Sequence, residues 1–266
     1  MPENDLSPES LKQALSTRFI GRNLIYHARL TSTMDEGRQA AIVGAPEGTV
    51  ILADEQTSGR GRLKRQWVSP RGCLTFSLIL YPETRVLPFL IMVSALAVAD
   101  TVEATAAVTA EIKWPNDVLV QGKKISGILI ETGIREGSPS YAVIGIGLNV
   151  NLDPATFPEI CATATSLSSE TGRVLSRAVV LRELLTRLDY WYGALLDGKD
   201  VFAAWRRRLS TLGKNLCVKA GSVIYEGVAE DVAPDGALLL RAADGRLLKM
   251  PAGDVTLNPK SPTDNP

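Results

Sequence analysis

Two short apolar segments flank a loop that carries many basic residues. The segments 49–53 and 74–81 consist mainly of apolar residues, a pattern typical of buried strands. The loop after the first segment begins D-E-Q-T-S-G-R-G-R-L-K-R-Q-W at Asp54, and no Asp or Glu occurs from Gln56 to Pro82. The chain therefore has to place a strongly basic loop at the edge of its core sheet.

The composition of this loop predicts an anion site. Gly59 and Gly61 lack a Cβ atom, so the backbone can bend tightly and bring its N–H groups close to a ligand. The cations of the loop are Arg60, Arg62, Lys64 and Arg65. Amides and guanidinium groups at a strand end suit carboxylate or phosphate oxygens. A solvated surface arm is the alternative, but such an arm would not be held between two core strands.

Length and charge narrow the class of protein. A chain of 266 residues can bury one sizeable core and a small second one. The 29 basic and 29 acidic residues cancel, which argues against a dedicated nucleic-acid-binding or membrane-surface protein. We find no apolar stretch of membrane-spanning length and no signal peptide in the polar N-terminus, so the sequence predicts a cytoplasmic protein.

Cysteine and histidine usage excludes several kinds of site. Cys73, Cys161 and Cys217 are odd in number and far apart, so neither a disulfide framework nor a structural zinc site is predicted. His27 is the only histidine, which argues against a Ser-His-Asp triad and against a metal centre built from several histidines. Any general base is then a carboxylate, a lysine or the substrate itself.

Periodicity predicts a mixed α+β domain followed by a small all-β domain. The expected helices are 6–20, 33–43, 87–104, 177–196 and 201–209, and the expected strands are 24–30, 49–54, 74–81, a hairpin within 111–132, and 141–148. Thr33 and Glu36 predict a capping box. From Gly213 onward short alternating strands predict a barrel. The predicted boundaries are 1–212, 213–258 and a disordered tail, 259–266.

Three further clusters carry polar groups next to predicted strands. The segment 113–117 places a lysine, a tryptophan and two oxygen-bearing side chains around Pro115. Lys124 follows a hairpin turn, where an ammonium group can bridge a carboxylate and a phosphate. The segment 145–149, G-I-G-L-N, offers bare backbone to a flat ligand. Taken singly, these residues also fit a solvated turn lysine, a core tryptophan and packing glycines.

Together these motifs resemble the biotin protein ligases over roughly residues 32–257. The motifs that carry the resemblance are Ser32-Thr33, Q-x-x-G-R-G-R-x-x-R-x-W from Gln56, K-W-P-N-D from Lys113, K-x-x-G from Lys124 and G-x-G-x-N from Gly145. The resemblance implies a mixed sheet flanked by helices, related to class II aminoacyl-tRNA synthetases, and a C-terminal SH3-like barrel. Met34 stands where Asn is common, and Leu63-Lys64 replaces a frequent Arg-Gly.

The resemblance also implies a reaction. Biotin and ATP, with Mg²⁺, give biotinyl-5′-AMP and pyrophosphate, and the biotinyl group then passes to a lysine of a biotin carboxyl carrier protein. The implied catalytic residues are Lys124, Arg62 and Asp117. The implied biotin contacts are Ser32, Thr33, Met34, Gln56, Arg60, Gly61, Arg62, Lys124, Gly127, Gly145 and Gly147. The implied ATP and adenylate contacts are Arg60, Arg62, Arg65, Trp67, Lys113, Asn116, Asp117, Lys124 and Asn149. No residue is assigned as a ligand of a resident metal.

Three alternatives remain at this point. Bifunctional ligases that repress transcription carry a winged helix-turn-helix before the catalytic domain, whereas only a short segment precedes Thr31, so we predict no DNA partner. Lipoate–protein ligase shares the implied fold, but the motifs at Gly59 and Lys113 favour biotin. A non-catalytic biotin-binding module would need neither Lys124 nor Arg62. The sequence leaves monomer and homodimer open and predicts no membrane partner.

Overall fold

The computed structural model describes residue 6 and residues 15–135, 138–251 and 253–257. Within these residues, seven strands form one sheet in the order β1-β2-β3-β7-β6-β5-β4. The strands are β1 (Leu24–His27), β2 (Val50–Ala53), β3 (Leu74–Leu80), β4 (Glu111–Lys113), β5 (Asp117–Val120), β6 (Lys123–Arg135) and β7 (Ser138–Leu148). The β1–β2 pair is parallel and the other neighbouring pairs are antiparallel, which confirms the mixed sheet.

The apolar runs of the sequence become the centre of this sheet. Every residue of β2 and β3 is buried, because the helix Thr33–Ile42 contacts both strands and alternate residues such as Leu52 and Phe76 belong to the main apolar core. The helices are α1 (Thr33–Ile42), α2 (Leu90–Ala106), α3 (Leu167–Thr171), α4 (Arg177–Leu196) and α5 (Val201–Arg207). Helix α1 packs on β2, β3 and β7, while α2 packs against α4, α5 and the strands near β6. The flanking helices of the predicted fold are thereby confirmed.

The segment Thr84–Ala106 corrects one expectation. Its 23 residues and mean hydropathy of 1.8 suffice for a membrane span. The sequence was expected to contain no apolar stretch of that length. In the folded chain 67% of that window is buried inside the protein. Its apolar residues contact the sheet and α4, so they serve as core.

The C-terminal part is an antiparallel sheet in the order β11-β10-β9-β8-β12. Its strands are β8 (Asn215–Ala220), β9 (Val223–Val232), β10 (Leu238–Arg241), β11 (Leu247–Met250) and β12 (Asp254–Leu257). No pairing of β11 with β12 occurs in the described part of the chain, so a closed SH3-like barrel is not confirmed. This sheet contacts the larger domain through Trp114, whose Nε1 donates to the Gly236 carbonyl at 2.8 Å, and through an Arg206–Asp231 ion pair.

The predicted N-terminal helix is wrong over the part of it that the structure describes, residues 15–20. Residues 15–20 are not helical, and apart from buried Leu6 the rest of that prediction lies outside the described residues. The carboxylate of Asp189 in α4 accepts the backbone N–H groups of Arg18, Phe19 and Ile20 at 2.8, 3.3 and 3.3 Å. These bonds fix the segment on α4 in a non-helical conformation. The predicted disordered tail also lies outside the described residues.

Candidate active site

A buried polar network joins α1 to the basic loop. The backbone N and Oγ1 of Thr33 both donate to Gln56 Oε1, at 2.7 and 3.0 Å, and Ser77 Oγ donates to Thr33 Oγ1 at 2.9 Å. The predicted capping box is therefore wrong, since Ser32 is the N-cap and makes no side-chain capping bond. Ser32 Oγ is buried without a hydrogen-bond partner among the described residues.

A cavity lies beside this network, and many residues of the predicted biotin site line it. The predicted biotin contacts that line it are Thr33, Met34, Gln56, Arg60, Gly61, Lys124, Gly127, Gly145 and Gly147, and the predicted nucleotide contacts Trp67 and Asn116 line it as well. Of the predicted biotin contacts, Ser32 and Arg62 are not among its described lining residues. The residues that the sequence interpretation missed are Thr75, Phe76, Ile128, Leu129 and Ile146, which come from β3, β6 and β7. Polar Thr75 and Ser77, at alternate positions of an otherwise apolar strand, were the available signal. The cavity thus combines apolar residues of the sheet with polar groups from α1, the basic loop and Lys124.

The glycines of this cavity make room for side chains of the same protein. A Cβ atom on Gly147 would lie 2.3 Å from Cε2 of Trp67, and one on Gly145 would lie 2.5 Å from Met34 Sδ. A Cβ atom on Gly127 would lie 3.1 Å from Lys124 Nζ. The flat group against bare backbone is thus the Trp67 indole, where the sequence predicted a ligand. Met34 fills the position beside Gly145.

Lys124 lies inside β6, just after the turn at Gln121-Gly122. Its Nζ lies 2.7 Å from Asp117 Oδ1 and 5.5 Å from the ring centroid of Trp67. The ammonium group therefore has a carboxylate on one side and an aromatic face on the other. Its side chain is 34% exposed, which leaves it accessible to a ligand. These contacts exclude the alternative of a purely solvated turn lysine.

A second cavity lies on the other side of Lys124, between the β4–β5–β6 hairpins and the C-terminal sheet. Its charged lining residues are Arg65, Glu111, Lys113, Asp117, Lys124 and Lys214. Four cations against two carboxylates give this cavity a positive balance that suits phosphate oxygens. Lys214 was missed because it reaches this cavity only through the packing of the two domains.

The basic loop folds into a small hairpin over the first cavity. Trp67 N donates to the Gly59 carbonyl at 2.9 Å, and Gly61 N donates to the Arg65 carbonyl at 2.8 Å. At its tip, Arg62 Nη1 donates to Asn116 Oδ1 at 3.0 Å. Burial lowers the pKa of the Arg62 guanidinium, and the carboxylates of Asp117 and Asp254 oppose that shift.

Carboxylates from elsewhere in the chain balance the loop charges. Arg60 Nη2 lies 3.0 Å from Asp35 Oδ1 and 3.2 Å from Glu131 Oε2. Arg65 pairs with Asp254. The absence of acidic residues from the local sequence therefore does not leave these arginines unpaired.

Two predicted nucleotide contacts, Asn149 and Asn116, make hydrogen bonds to the protein backbone. Asn149 is 3% exposed, and its Nδ2 donates to the Thr165 carbonyl at 2.9 Å. It is not among the described residues that line either cavity. Asn116 Nδ2 donates to the Ile128 carbonyl at 3.0 Å, which fixes the amide that receives Arg62. The adenine contact of Asn149 stays a prediction.

Two family models match this chain. Residues 26–149 match the biotin/lipoate A/B protein ligase family, and residues 211–257 match the biotin protein ligase C terminal domain. Most residues that line the two cavities lie within the first match, and part of the lining of the cationic cavity lies within the second.

Individual relatives cover nearly the whole chain. The bifunctional ligase/repressor BirA of Bacillus subtilis is 36% identical over 95% of this chain and 79% of its own length. The biotin–[acetyl-CoA-carboxylase] ligase of Paracoccus denitrificans is 32% identical over 86% of this chain and 98% of its own. The structure of Aquifex aeolicus biotin protein ligase in complex with biotin and ATP superposes with a TM-score of 0.76 and 30% identity, covering 89% of this chain and 99% of that one. The chain therefore belongs to the biotin/lipoate A/B protein ligase family and, within it, to the biotin protein ligases.

Proposed function

We propose that the protein activates biotin with ATP and transfers the biotinyl group to a lysine of a biotin carboxyl carrier protein. The position of Lys124 carries this proposal, because its side chain borders both cavities. One cavity is lined by apolar and polar residues, and the other is cationic. An ammonium group between them lies where a carboxylate from the first cavity would meet a phosphate from the second.

The charges of the site suit the chemistry of adenylation. A biotin carboxylate oxygen forms a bond to the α-phosphorus of ATP, the bond to the β-phosphate oxygen breaks, and pyrophosphate leaves with the electron pair. Both reactants are anions, so fixed cations that meet the developing charge lower the barrier. Lys124 supplies such a cation between the cavities, Arg62 would supply a second from the hairpin tip, where it is bonded to Asn116, and this attack requires no histidine.

The second step needs protection from water. The uncharged amine of the carrier lysine attacks the carbonyl carbon of biotinyl-5′-AMP and gives up a proton to solvent. The amide bond forms as the bond from that carbon to the AMP oxygen breaks, and AMP leaves with the electron pair. The mixed anhydride hydrolyses readily, so closure of the 59–67 hairpin over the cavity would preserve it. The network of Thr33, Gln56 and Ser77 offers polar partners for the ureido ring.

Magnesium fits this site as a companion of the nucleotide. No group of three or more His, Cys, Asp or Glu side chains that could hold a metal occurs among the described residues. Mg²⁺ commonly takes one or two carboxylates together with substrate phosphates. Asp117, whose side chain is 21% exposed at the cationic cavity, would supply a carboxylate, with Asn116 nearby. When bound, the ion neutralises phosphate charge.

The first test is pyrophosphate release from ATP in the presence of biotin. We expect release that depends on biotin and is absent with lipoate, followed by biotinylation of a carrier domain with an intact acceptor lysine. The matched control is the same carrier with that lysine changed to arginine. Release with lipoate instead of biotin would favour the lipoate ligases, and binding of biotin without release would favour a non-catalytic module.

We also expect no operator-specific DNA binding, although some relatives are named as repressors. Sequence-specific readout needs clustered basic residues that are free to contact phosphates. The formal net charge is zero, and Arg60 and Arg65 already pair with carboxylates. A gel-shift experiment with a biotin-gene promoter fragment at physiological salt tests this. A complex that biotin and ATP strengthen would contradict the expectation.

The proposal also covers the domain boundaries, the localisation and the oligomeric state. We place the catalytic domain at 1–212 and the second domain at 213–258, with the C-terminal sheet closing as an SH3-like barrel. The protein acts in the cytoplasm as a monomer or homodimer, without a membrane partner. The match of residues 211–257 to a C-terminal ligase domain supports the position of the boundary.

A further inference from the structure

Two successive residues of the C-terminal sheet hold the tip of the 59–67 hairpin. Both terminal guanidinium nitrogens of Arg65 contact the Asp254 carboxylate, with Nη1 3.1 Å from Oδ1 and Nη2 closer still to Oδ2. Arg62 Nη1 donates to the Gly253 carbonyl at 3.3 Å. Asp254 is the first residue of β12. The hairpin of the catalytic domain is thus fastened to the other domain at its outermost point.

The backbone at the tip has a conformation that requires support. Leu63 and Lys64 have φ angles of 54° and 60°, in the left-handed region that side chains with a Cβ atom avoid. Such conformations persist where surrounding contacts hold them in place. The residues on either side, Arg62 and Arg65, are the ones bonded to Gly253 and Asp254. The C-terminal sheet therefore supports the least favourable turn of the hairpin.

We propose that Asp254 is a positioning residue that keeps the 59–67 hairpin closed over the active site through its bidentate pair with Arg65. This inference rests on the proposed adenylation, because the hairpin carries Arg60, Gly61 and Trp67 to the first cavity. Asp254 acts on them through Arg65. Without the charge of Asp254, the hairpin opens more often and biotinyl-5′-AMP leaves the site sooner.

A second ion pair between the domains supplies a matched control. Arg206 in α5 pairs with Asp231 in β9 at 2.5 Å, and the two side chains are 44% and 36% exposed. The Arg65 and Asp254 side chains are 64% and 32% exposed. Asp231→Asn and Asp254→Asn each remove one such carboxylate, but only Asp254 contacts the hairpin.

The first experiment measures opening without any substrate. The hairpin contains several trypsin sites, so cleavage after Arg62, Lys64 or Arg65 in the full-length protein reports the open population. We expect Asp254→Asn to be cut in the hairpin about two- to five-fold faster than wild type, within the range for loss of an exposed ion pair. Asp231→Asn should match wild type. Equal cleavage of Asp254→Asn and wild type, or equal acceleration in both variants, would overturn the proposal.

The second experiment measures retention of the adenylate. Enzyme loaded with labelled biotin and ATP is chased with unlabelled biotin, and we expect the label to leave Asp254→Asn about two- to five-fold faster than Asp231→Asn. Equal rates would overturn the role of Asp254. If wild type formed no adenylate at all, the proposed function would fail, while the cleavage comparison would still decide whether Asp254 closes the hairpin.

Discussion

Replacement of Lys124 by alanine should lower the rate of pyrophosphate release about 10²–10³-fold, the loss typical for removal of one preorganised group that stabilises transition-state charge. The ammonium group lies between the two cavities, 2.7 Å from Asp117, and has no neighbouring lysine that reaches the same point among the described contacts. The measurement is single-turnover pyrophosphate release at saturating biotin and ATP.

Lys123 provides the control for this substitution. It is the adjacent residue and is exposed, and it lines neither cavity among the described residues. Lys123→Ala should therefore keep nearly full activity, and both variants should unfold at a urea concentration close to that of wild type. Normal release by Lys124→Ala would remove this lysine from the proposed mechanism, and equal loss in both variants would point to disturbance of the turn.

Replacement of Arg177 by alanine should lower the free energy of unfolding by up to about 3–5 kcal/mol, because it removes the nearer cation of a buried carboxylate. The carboxylate then keeps only the more exposed Arg71, whose Nε lies 3.6 Å from Asp54 Oδ2. Arg177 begins α4 and pairs with Asp54, and their side chains are 10% and 12% exposed. Asp54 also donates its backbone N–H to the His27 carbonyl at 3.0 Å, directly before the loop that carries Gln56. Urea unfolding monitored by circular dichroism provides the measurement.

Arg187 on the same helix is the matched control. Its pair with Glu183 spans one turn at the surface, with side chains 39% and 31% exposed, so Arg187→Ala should cost less than about 0.5 kcal/mol. Replacing both members of the buried pair, Arg177→Met with Asp54→Leu, should recover part of the lost stability. Similar losses for Arg177→Ala and Arg187→Ala would contradict this account of the buried pair.

The sequence was informative where one periodicity dominated a long segment. The boundaries of α4 match the prediction, because its apolar positions recur with a helical period over twenty residues. Strand β3 was predicted within one residue because its apolar run is bounded by polar segments. The all-β character of the C-terminal part also follows from short alternating segments, whereas barrel closure depends on contacts between distant strands that no local pattern contains.

Local rules failed where a distant group offered a better partner. Thr33 fits a capping box by spacing, yet Gln56 occupies both its N–H and its hydroxyl group. The glycines at 145 and 147 indicated close approach correctly, but the approaching groups are Met34 and Trp67. Lys214 and Asp254 reach the site only through domain packing, so no motif spacing could have assigned them. The motif residues themselves needed no such information, because their spacing is shared with the family.

The backbone of Lys124 has a consequence for how the site would sense its nucleotide. Lys124 N donates to the Thr163 carbonyl at 2.8 Å, and Thr165 N donates to the Lys124 carbonyl at 2.9 Å. These bonds pair the lysine with Ala164, at the end of the long segment that borders the cationic cavity. Any displacement of that segment by a bound phosphate therefore pulls on the lysine backbone as well. Binding of the nucleotide and positioning of the ammonium group are then coupled through these two backbone hydrogen bonds.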